Sequence, residues 1–301
     1  MFGKIIVLGS SGFVGKHLIN LIPHSKGVSL RDNSWKKKLA DSDVIINLVG
    51  KAHDHNRKAT ESDYYYVNVE LTKKIFKEFL LCEAKLLIHL SSLAALEEFE
   101  SDKFLQEKDP CSPQSWYGKS KRTAEEWLLS QNIPEGKKLI ILRAPMIHGA
   151  GDKGNLGLLY KLITKGIPYP LASFDNKRSF ISIYNFIFFI TQIIERSDLL
   201  NNDVYHISDD EPVSTQEIIN IIKSETRKKV WNIAVPKTLV RIVAKIGDVF
   251  PIPLNTNRLK KMTSTLLISN KKIKAAIGIE NLPLTSKEGL TITIKSFNQR
   301  N

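Results

Sequence analysis

Residues 4–8 are a short continuous apolar run rich in β-branched side chains, and they break directly into Gly9-Ser10-Ser11-Gly12-Phe13-Val14-Gly15. A run of that kind reads as a strand buried on both faces. Residues 16–22 then read as helix and stop at Pro23. Strand, glycine turn, helix is the setting that gives a G-x-x-G-x-x-G pattern its meaning. Glycine lets the backbone turn tightly and approach a pyrophosphate, whose charge meets the helix N-terminus. Ser10, Ser11, Phe13 and Val14 lie between the glycines and would line such an anion. The spacing is not the commoner G-x-G-x-x-G, and a tight turn without a ligand would use the same residues.

The same alternation continues down the chain. Residues 43–50, 85–90 and 139–143 read as strands, and 28–32 as a candidate second strand. Helical segments are expected at 34–40, 66–81 and after Tyr117. Strands alternating with helices predict an α/β fold, a Rossmann-type doubly wound parallel sheet. Ligands of such sheets bind beyond the carboxyl ends of the strands. Residues 9–15, 50–55, 91–92 and 144–149 all fall there. After Gly149 the composition shifts, which divides the chain into a dinucleotide-binding part, 1–148, and a smaller, mixed substrate-binding part, 149–301. Strands near 179–184 and 203–208 are expected to return to the first part. A buried helix at 185–194, a helix capped by Ser214 with Glu217 at the capping-box position, and an amphipathic helix at 236–246 belong to the second half. Internal repeats and disordered linkers are not expected.

Bulk properties exclude several classes. Only Cys82 and Cys111 are present, so no disulfide framework is expected. The greasiest run, 186–194, is far short of a membrane span, and a cytoplasmic location is expected. The net charge of +13 is spread over short lysine runs without interleaved aromatics; it predicts a solvated surface attractive to anions rather than nucleic-acid binding. His53 and His55 stand in a polar loop, and no spaced set of Cys, His and carboxylate completes a metal site around them.

Ser115-Trp116-Tyr117-Gly118-Lys119-Ser120-Lys121 opens a helical segment. Positions i and i+4 share a helix face, so Tyr117 and Lys121 point the same way. A free tyrosine titrates near ~10 and is a poor acid or base at neutrality. A neighbouring positive charge favours the phenolate, and bringing the phenol to about 7 needs roughly 4 kcal/mol of differential stabilisation. Lys121 together with a cationic nicotinamide ring is expected to supply it.

Taken in order, Gly9-x-x-Gly12-x-x-Gly15, the strand 43–50, Asn68 in Tyr66-Val67-Asn68-Val69-Glu70, Ser91-Ser92, Tyr117-x-x-x-Lys121 and Arg143-Ala144-Pro145 resemble the extended short-chain dehydrogenases/reductases. They are most similar to the nucleotide-sugar epimerase/dehydratase group. In the second half, Gly154-Asn155-Leu156, Lys165-Gly166-Ile167-Pro168-x-Pro170-Leu171 and Asn176-x-Arg178-Ser179-Phe180-Ile181 resemble a bacterial branch of UDP-hexose 4-epimerases and 4-reductases making UDP-linked 6-deoxy-N-acetylhexosamines.

The resemblance implies an NAD or NADP cofactor and a UDP-sugar substrate. Tyr117 would be the proton-transferring acid/base, Lys121 would hold the cofactor ribose, and Ser92 would hydrogen-bond the oxygen at sugar C4. Gly9 to Gly15 would pass the pyrophosphate, with Leu48, Val49, Gly50, Ala144 and Pro145 edging the cofactor. His53, Asn68, Ser91, Asn155 and Arg178 would face the substrate, the last two at its diphosphate. A homodimer through the helices following Tyr66 and Tyr117 is implied as well. The 4,6-dehydratases of the group carry an Asp-Glu pair just after the catalytic Ser/Thr; Leu93 and Ala94 stand there in this chain, so no dehydratase activity is expected. Between 15 and 43 the chain is too short for two strand–helix crossovers. If Arg31 tips the second strand it favours a 2′-phosphate and NADP; if Asp32 belongs to an adenine-contacting strand it does not bear on the ribose. Epimerase and reductase share one catalytic set, and a non-catalytic NAD(P) sensor or scaffold is the alternative from another class.

Overall fold

The computed structural model describes residues 3–52, 58–152, 154–166, 169, 171, 173–227, 235–250 and 255–298. The first half runs β1 (Ile5–Leu8), α1 (Phe13–Leu21), β2 (Ser25–Val28), α2 (Trp35–Leu39), β3 (Val44–Asn47), α3 (Glu61–Tyr65), α4 (Leu71–Leu81), β4 (Leu86–Leu90), β5 (Phe104–Leu105), α5 (Trp116–Leu129), β6 (Lys138–Arg143) and β7 (Met146–His148). The second runs α6 (Asn155–Thr164), β8 (Phe180–Ser182), α7 (Ile183–Glu195), β9 (Asp203–His206), α8 (Thr215–Thr226), α9 (Lys237–Val249), α10 (Thr256–Thr263), β10 (Leu267–Ile268), α11 (Lys271–Ile277) and α12 (Ser286–Asn298).

Six strands form one parallel sheet in the order β2-β1-β3-β4-β6-β9. Strand order reverses between β1 and β3, so a crevice opens at their carboxyl ends, where doubly wound sheets bind ligands. The turn after β1 explains its glycines. Gly9 has φ +84, and a Cβ on Gly15 would lie 2.5 Å from the Gly9 carbonyl oxygen. Only glycine fits either place.

The second strand lies earlier than the sequence pattern suggests. Residues 25–28 pair with β1, and 29–34 turn instead of extending. The Asp32 carboxylate accepts from Ser34 N at 2.9 Å and Ser34 Oγ at 2.7 Å, and Arg31 N donates to Ser29 Oγ at 3.3 Å. Such local side-chain bonds compete with strand pairing. Because β2 sits directly against β1 and is the outer strand of the sheet, it takes the second-strand position; the third is the one missing among the described residues.

Two further points concern a boundary and a pairing. The helical run expected from Tyr66 begins at Glu61, under a capping box made by Thr60 and Asp63, and passes through a π-helical turn at Tyr66–Glu70 before α4. The stretch near 179–184 pairs with a strand of the first part, outside the large sheet. Phe180–Ser182 pairs with Met146–His148 in a separate two-stranded sheet, while Asp203–His206 joins β6 as the far edge of the large one.

Packing crosses the middle of the chain. One core joins β1, β3, β4 and β6 to α7, whose Phe186, Phe189, Ile190 and Ile193 are fully buried. A second core gathers Leu156, Tyr160, Ile219, Ile222, Leu290 and Ile294 from α6, α8 and α12. The segment 97–105 ties the halves together: β5 pairs with β10, Ser101 N donates to the Thr265 carbonyl at 2.9 Å, and Ser264 Oγ donates to the Phe99 carbonyl.

Candidate active site

Ser115 starts α5 by accepting from Gly118 N at 3.0 Å. A buried carboxylate holds this end. Glu98 Oε1 accepts from Ser115 N at 2.7 Å, Ser115 Oγ at 2.8 Å and Gln114 N at 3.1 Å. A Cβ on Gly118 would sit 2.5 Å from Glu98 Oε1 and 2.4 Å from the Ala94 carbonyl oxygen. Glycine there lets α5 close onto the loop that follows β4, and that closeness brings Tyr117 to Ser92. The Ser92 hydroxyl stands close enough to act on the Tyr117 phenol, and Ser92 Oγ accepts from Ala94 N at 3.2 Å.

One turn along α5, Lys121 is buried and donates from Nζ to the Leu90 carbonyl at 2.8 Å. Its ammonium lies against Gly50: a Cβ there would stand 3.2 Å from Nζ. Burial brings the Lys121 pKa down to about 8, partly opposed by Glu125. Tyr117 departs from expectation. Burial pushes its pKa above the ordinary value, the neighbouring Ser92 hydroxyl pulls it down, and the Glu98 carboxylate pushes it up. In the protein alone, Lys121 is committed to Leu90 and burial outweighs any acidification of the phenol.

The remaining predicted residues divide into those the fold leaves available and those it uses. Ser10 and Ser11 line a cavity of about 410 Å³ with Lys16, Ile19, Asn20 and Gly27. Phe13 packs edge-on against His17, whose Nε2 meets the Ala150 carbonyl at 2.8 Å, joining α1 to the loop after β7. Val14 and Leu48 pack against the sheet core, Val49 against the core on its other face, and Ala144 is buried within the first of these beside Pro145. Arg31 is exposed. Asp32 is occupied by Ser34 and by an ion pair with Lys38.

Asn68 and Ser91 do not offer their polar groups to a ligand. The Asn68 amide brackets Lys51, accepting from its N–H at 2.8 Å and donating to its carbonyl at 3.1 Å, and also donates to Ser120 Oγ at 2.8 Å. It fixes the loop after β3 against α5. Ser91 is buried and donates to Glu125 Oε1. Asn155 is exposed on the first turn of α6. Arg178 is partly buried; its Nη1 has only long bonds, 3.3 and 3.4 Å to the carbonyl and hydroxyl of Ser264 and 3.4 Å to the Phe99 carbonyl. Among the described residues no carboxylate pairs with it, and burial lowers its pKa to about 10. His53 lies outside the described residues.

Sequence reading missed Glu98 and the pair Glu125–Arg143. Glu98 stands in a charge-rich loop with no periodicity to single it out, although Lys261 of α10 reaches its Oε2 at 3.3 Å and links the second half to α5. Glu125 had a signal: residues 117, 121 and 125 share one helix face. It takes Arg143 in a fork, with Nη2–Oε2 at 2.7 Å and Nε–Oε1 at 3.0 Å, both side chains fully buried.

The glycine-lined crevice fits a dinucleotide. The positions where a Cβ would collide, Gly9 and Gly15, lie at the helix N-terminus, and Lys121 stands at the adjoining strand ends. Residues 5–208 match the model of the NAD dependent epimerase/dehydratase family. The chain is 26% identical to a UDP-glucose 4-epimerase of Vibrio cholerae, over 99% of this chain and 96% of that protein. It is 24% identical to an N-acetyl-alpha-D-glucosaminyl-diphospho-ditrans,octacis-undecaprenol 4-epimerase of Escherichia coli O157:H7, over 98% of this chain and 95% of that one. In fold it is similar to a UDP-glucuronic acid 4-epimerase from Bacillus cereus solved with NAD, with a TM-score of 0.76, 16% identity and 99% of each chain covered.

Proposed function

Because the chain belongs to the NAD-dependent epimerase/dehydratase family, we propose that it is a nucleotide-sugar enzyme acting at sugar C4, a UDP-hexose or UDP-N-acetylhexosamine 4-epimerase. The observation that carries this reading is the placement of Tyr117 beside Ser92, with Lys121 one turn along the same helix at the crevice. A bound nicotinamide supplies hydride chemistry at C4. The chain's own residues move the proton. Tyr117 as phenolate takes the proton of the C4 hydroxyl and returns it, and Ser92 donates to the same oxygen, steadying the charge that develops there.

The phenol must therefore be acidified when the ternary complex forms, against the burial that raises its pKa in the protein alone. Lys121 holds the ribose, Gly9 to Gly15 pass the pyrophosphate, and Arg178, a cation without a carboxylate partner among the described residues, takes the substrate diphosphate with Asn155. Leu93 and Ala94 carry no proton-transferring group next to Ser92, which opposes a dehydratase reading. The enzyme works as a cytoplasmic homodimer in this proposal.

The test is incubation with UDP-glucose, UDP-N-acetylglucosamine and a UDP-4-keto-6-deoxy sugar, each with NAD(H) and NADP(H). Interconversion of epimers without net cofactor turnover is expected. Stoichiometric oxidation of the reduced cofactor would make the protein a 4-reductase instead, and no turnover of any sugar would leave the sensor reading. Tyr117→Phe should cost roughly 10²–10⁴ in kcat; full activity in that variant overturns the proton-transfer role.

A further inference from the structure

Helix α9 has three faces. Val240 and Ala244 are buried in the second core. On the far side, Leu239, Ile242, Val243, Ile246, Val249 and, at the C-cap, Phe250 form an apolar stripe left in solvent, with Val249 80% and Phe250 61% exposed. At about 100° per residue these six positions fall within roughly a third of the helix circumference, centred about 140° round from the buried pair. Lys237, Arg241 and Lys245, four residues apart, run as a cationic row between the buried face and the stripe. Among the described residues none of the three is in an ion pair; Lys237 lies 5.7 Å from the Phe174 ring. The acid of the helix, Asp248, is occupied by the backbone and hydroxyl of Thr256.

Monomeric surfaces rarely leave so many large apolar side chains together without a use. An apolar stripe flanked by Lys and Arg is the pattern of a helix that lies in the plane of a membrane interface. At 13 residues α9 is about 20 Å long, too short to cross a bilayer core of ~30 Å, and no helix among the described residues is long and apolar enough to span. An uncharged apolar partner would leave the cationic row without counter-charge, whereas acidic headgroups supply it along with an apolar layer beneath. The net charge of +13 adds a general attraction in the same sense. We infer that α9 is a membrane-docking helix, which seats its apolar stripe in the headgroup layer of an anionic phospholipid surface while Lys237, Arg241 and Lys245 contact lipid phosphates. Docking would bring the bilayer beside the site, because α9 packs on α10 and Lys261 of α10 reaches Glu98 at the start of α5.

Flotation of the full-length protein with vesicles of phosphatidylcholine alone and of phosphatidylcholine mixed with phosphatidylglycerol tests this. Binding is expected only to the anionic vesicles, with release as salt rises. Arg241→Glu should weaken it about fivefold or more, and Ile242→Glu with Val249→Glu should abolish it. Both surface variants should unfold at the wild-type temperature; Ile242→Gln provides a milder variant if the glutamates disturb folding, and it too should lose vesicle binding. The inference is overturned if wild type ignores anionic vesicles, if the variants bind as it does, or if α9 proves to be a contact between copies, seen as a dimer that Ile242→Glu dissociates.

Discussion

Arg143 and Arg178 are both drawn out of water, and the protein treats them in opposite ways. Arg143 is fully buried at the end of β6, forked onto Glu125, and its charge is reinforced by that carboxylate. Arg178, in the second half, has long bonds to carbonyls and a hydroxyl and no carboxylate among the described residues. A buried cation with its counter-ion built in is a structural part. One that lacks a counter-ion retains capacity for an anion from outside, and planar guanidinium suits diphosphate oxygens. The same contrast separates Ser91, spent on Glu125, from its neighbour Ser92, left beside Tyr117.

The largest effect should come from opening the closed pair. Glu125→Ala strands Arg143 in the interior without a counter-charge and should cost about 3–5 kcal/mol of stability, read from urea unfolding. Replacing both partners, Glu125→Leu with Arg143→Met, should recover most of that loss. If neutralising Arg178 were equally costly, the distinction between the two arginines would fail.

Arg178→Met is expected to leave stability unchanged or raise it, since it removes a poorly compensated charge. Its effect should appear in substrate binding, as a rise in KM for the UDP-sugar of roughly 10- to 100-fold, the range for losing a charge-assisted hydrogen bond. UDP at about 100 times its Kd should stabilise wild type by about 2.7 kcal/mol, and at the same concentration stabilise the variant far less. Arg178→Lys keeps the charge without the fork and should fall between. A variant that loses stability and keeps its KM would make Arg178 a structural residue like Arg143.

The same contrast explains what was legible in the sequence. Buried parallel strands announce themselves as short apolar runs, so β1, β4 and β6 were readable to within a residue, and β3 to within one at its start and three at its end. The glycine turn was readable because its demand, a left-handed or crowded backbone, admits one residue type. The edge strand β2 was misplaced by three to four residues because Ser25-Lys26-Gly27 carries no apolar alternation and Asp32 and Ser34 form their own turn. The π-helical turn around Asn68 is invisible to a 3.6-residue pattern. Motif residues named Ser91 and Asn68 as ligands, yet which way a hydroxyl or amide turns depends on Glu125 and Lys51, residues far off in the chain.

Lys121 stands between the two arginines, and its behaviour with pH sharpens the comparison by the smallest step. It is buried like Arg143 but donates to the neutral Leu90 carbonyl, and only part of the Glu125 charge, shared with Arg143, reaches it. Its pKa of about 8 lies below the ordinary lysine value of 10.5. Between those two pH values the unfolded chain holds more protons than the folded one, so stability should rise as pH climbs through about 8 and level off near the unfolded value. Cofactor affinity should move the other way. In the proposed complex, the ammonium offered to the ribose would be lost above about 8, and affinity should drop by at most about tenfold per pH step of one. Calorimetric titration of NAD and NADP alongside urea unfolding, from neutral to alkaline pH, would show the two curves diverging. Lys121→Met should flatten both relative to wild type. Parallel movement of the two curves, or a divergence that survives in Lys121→Met, would place the responsible proton elsewhere and leave Lys121 grouped with Arg143 as a part of the framework.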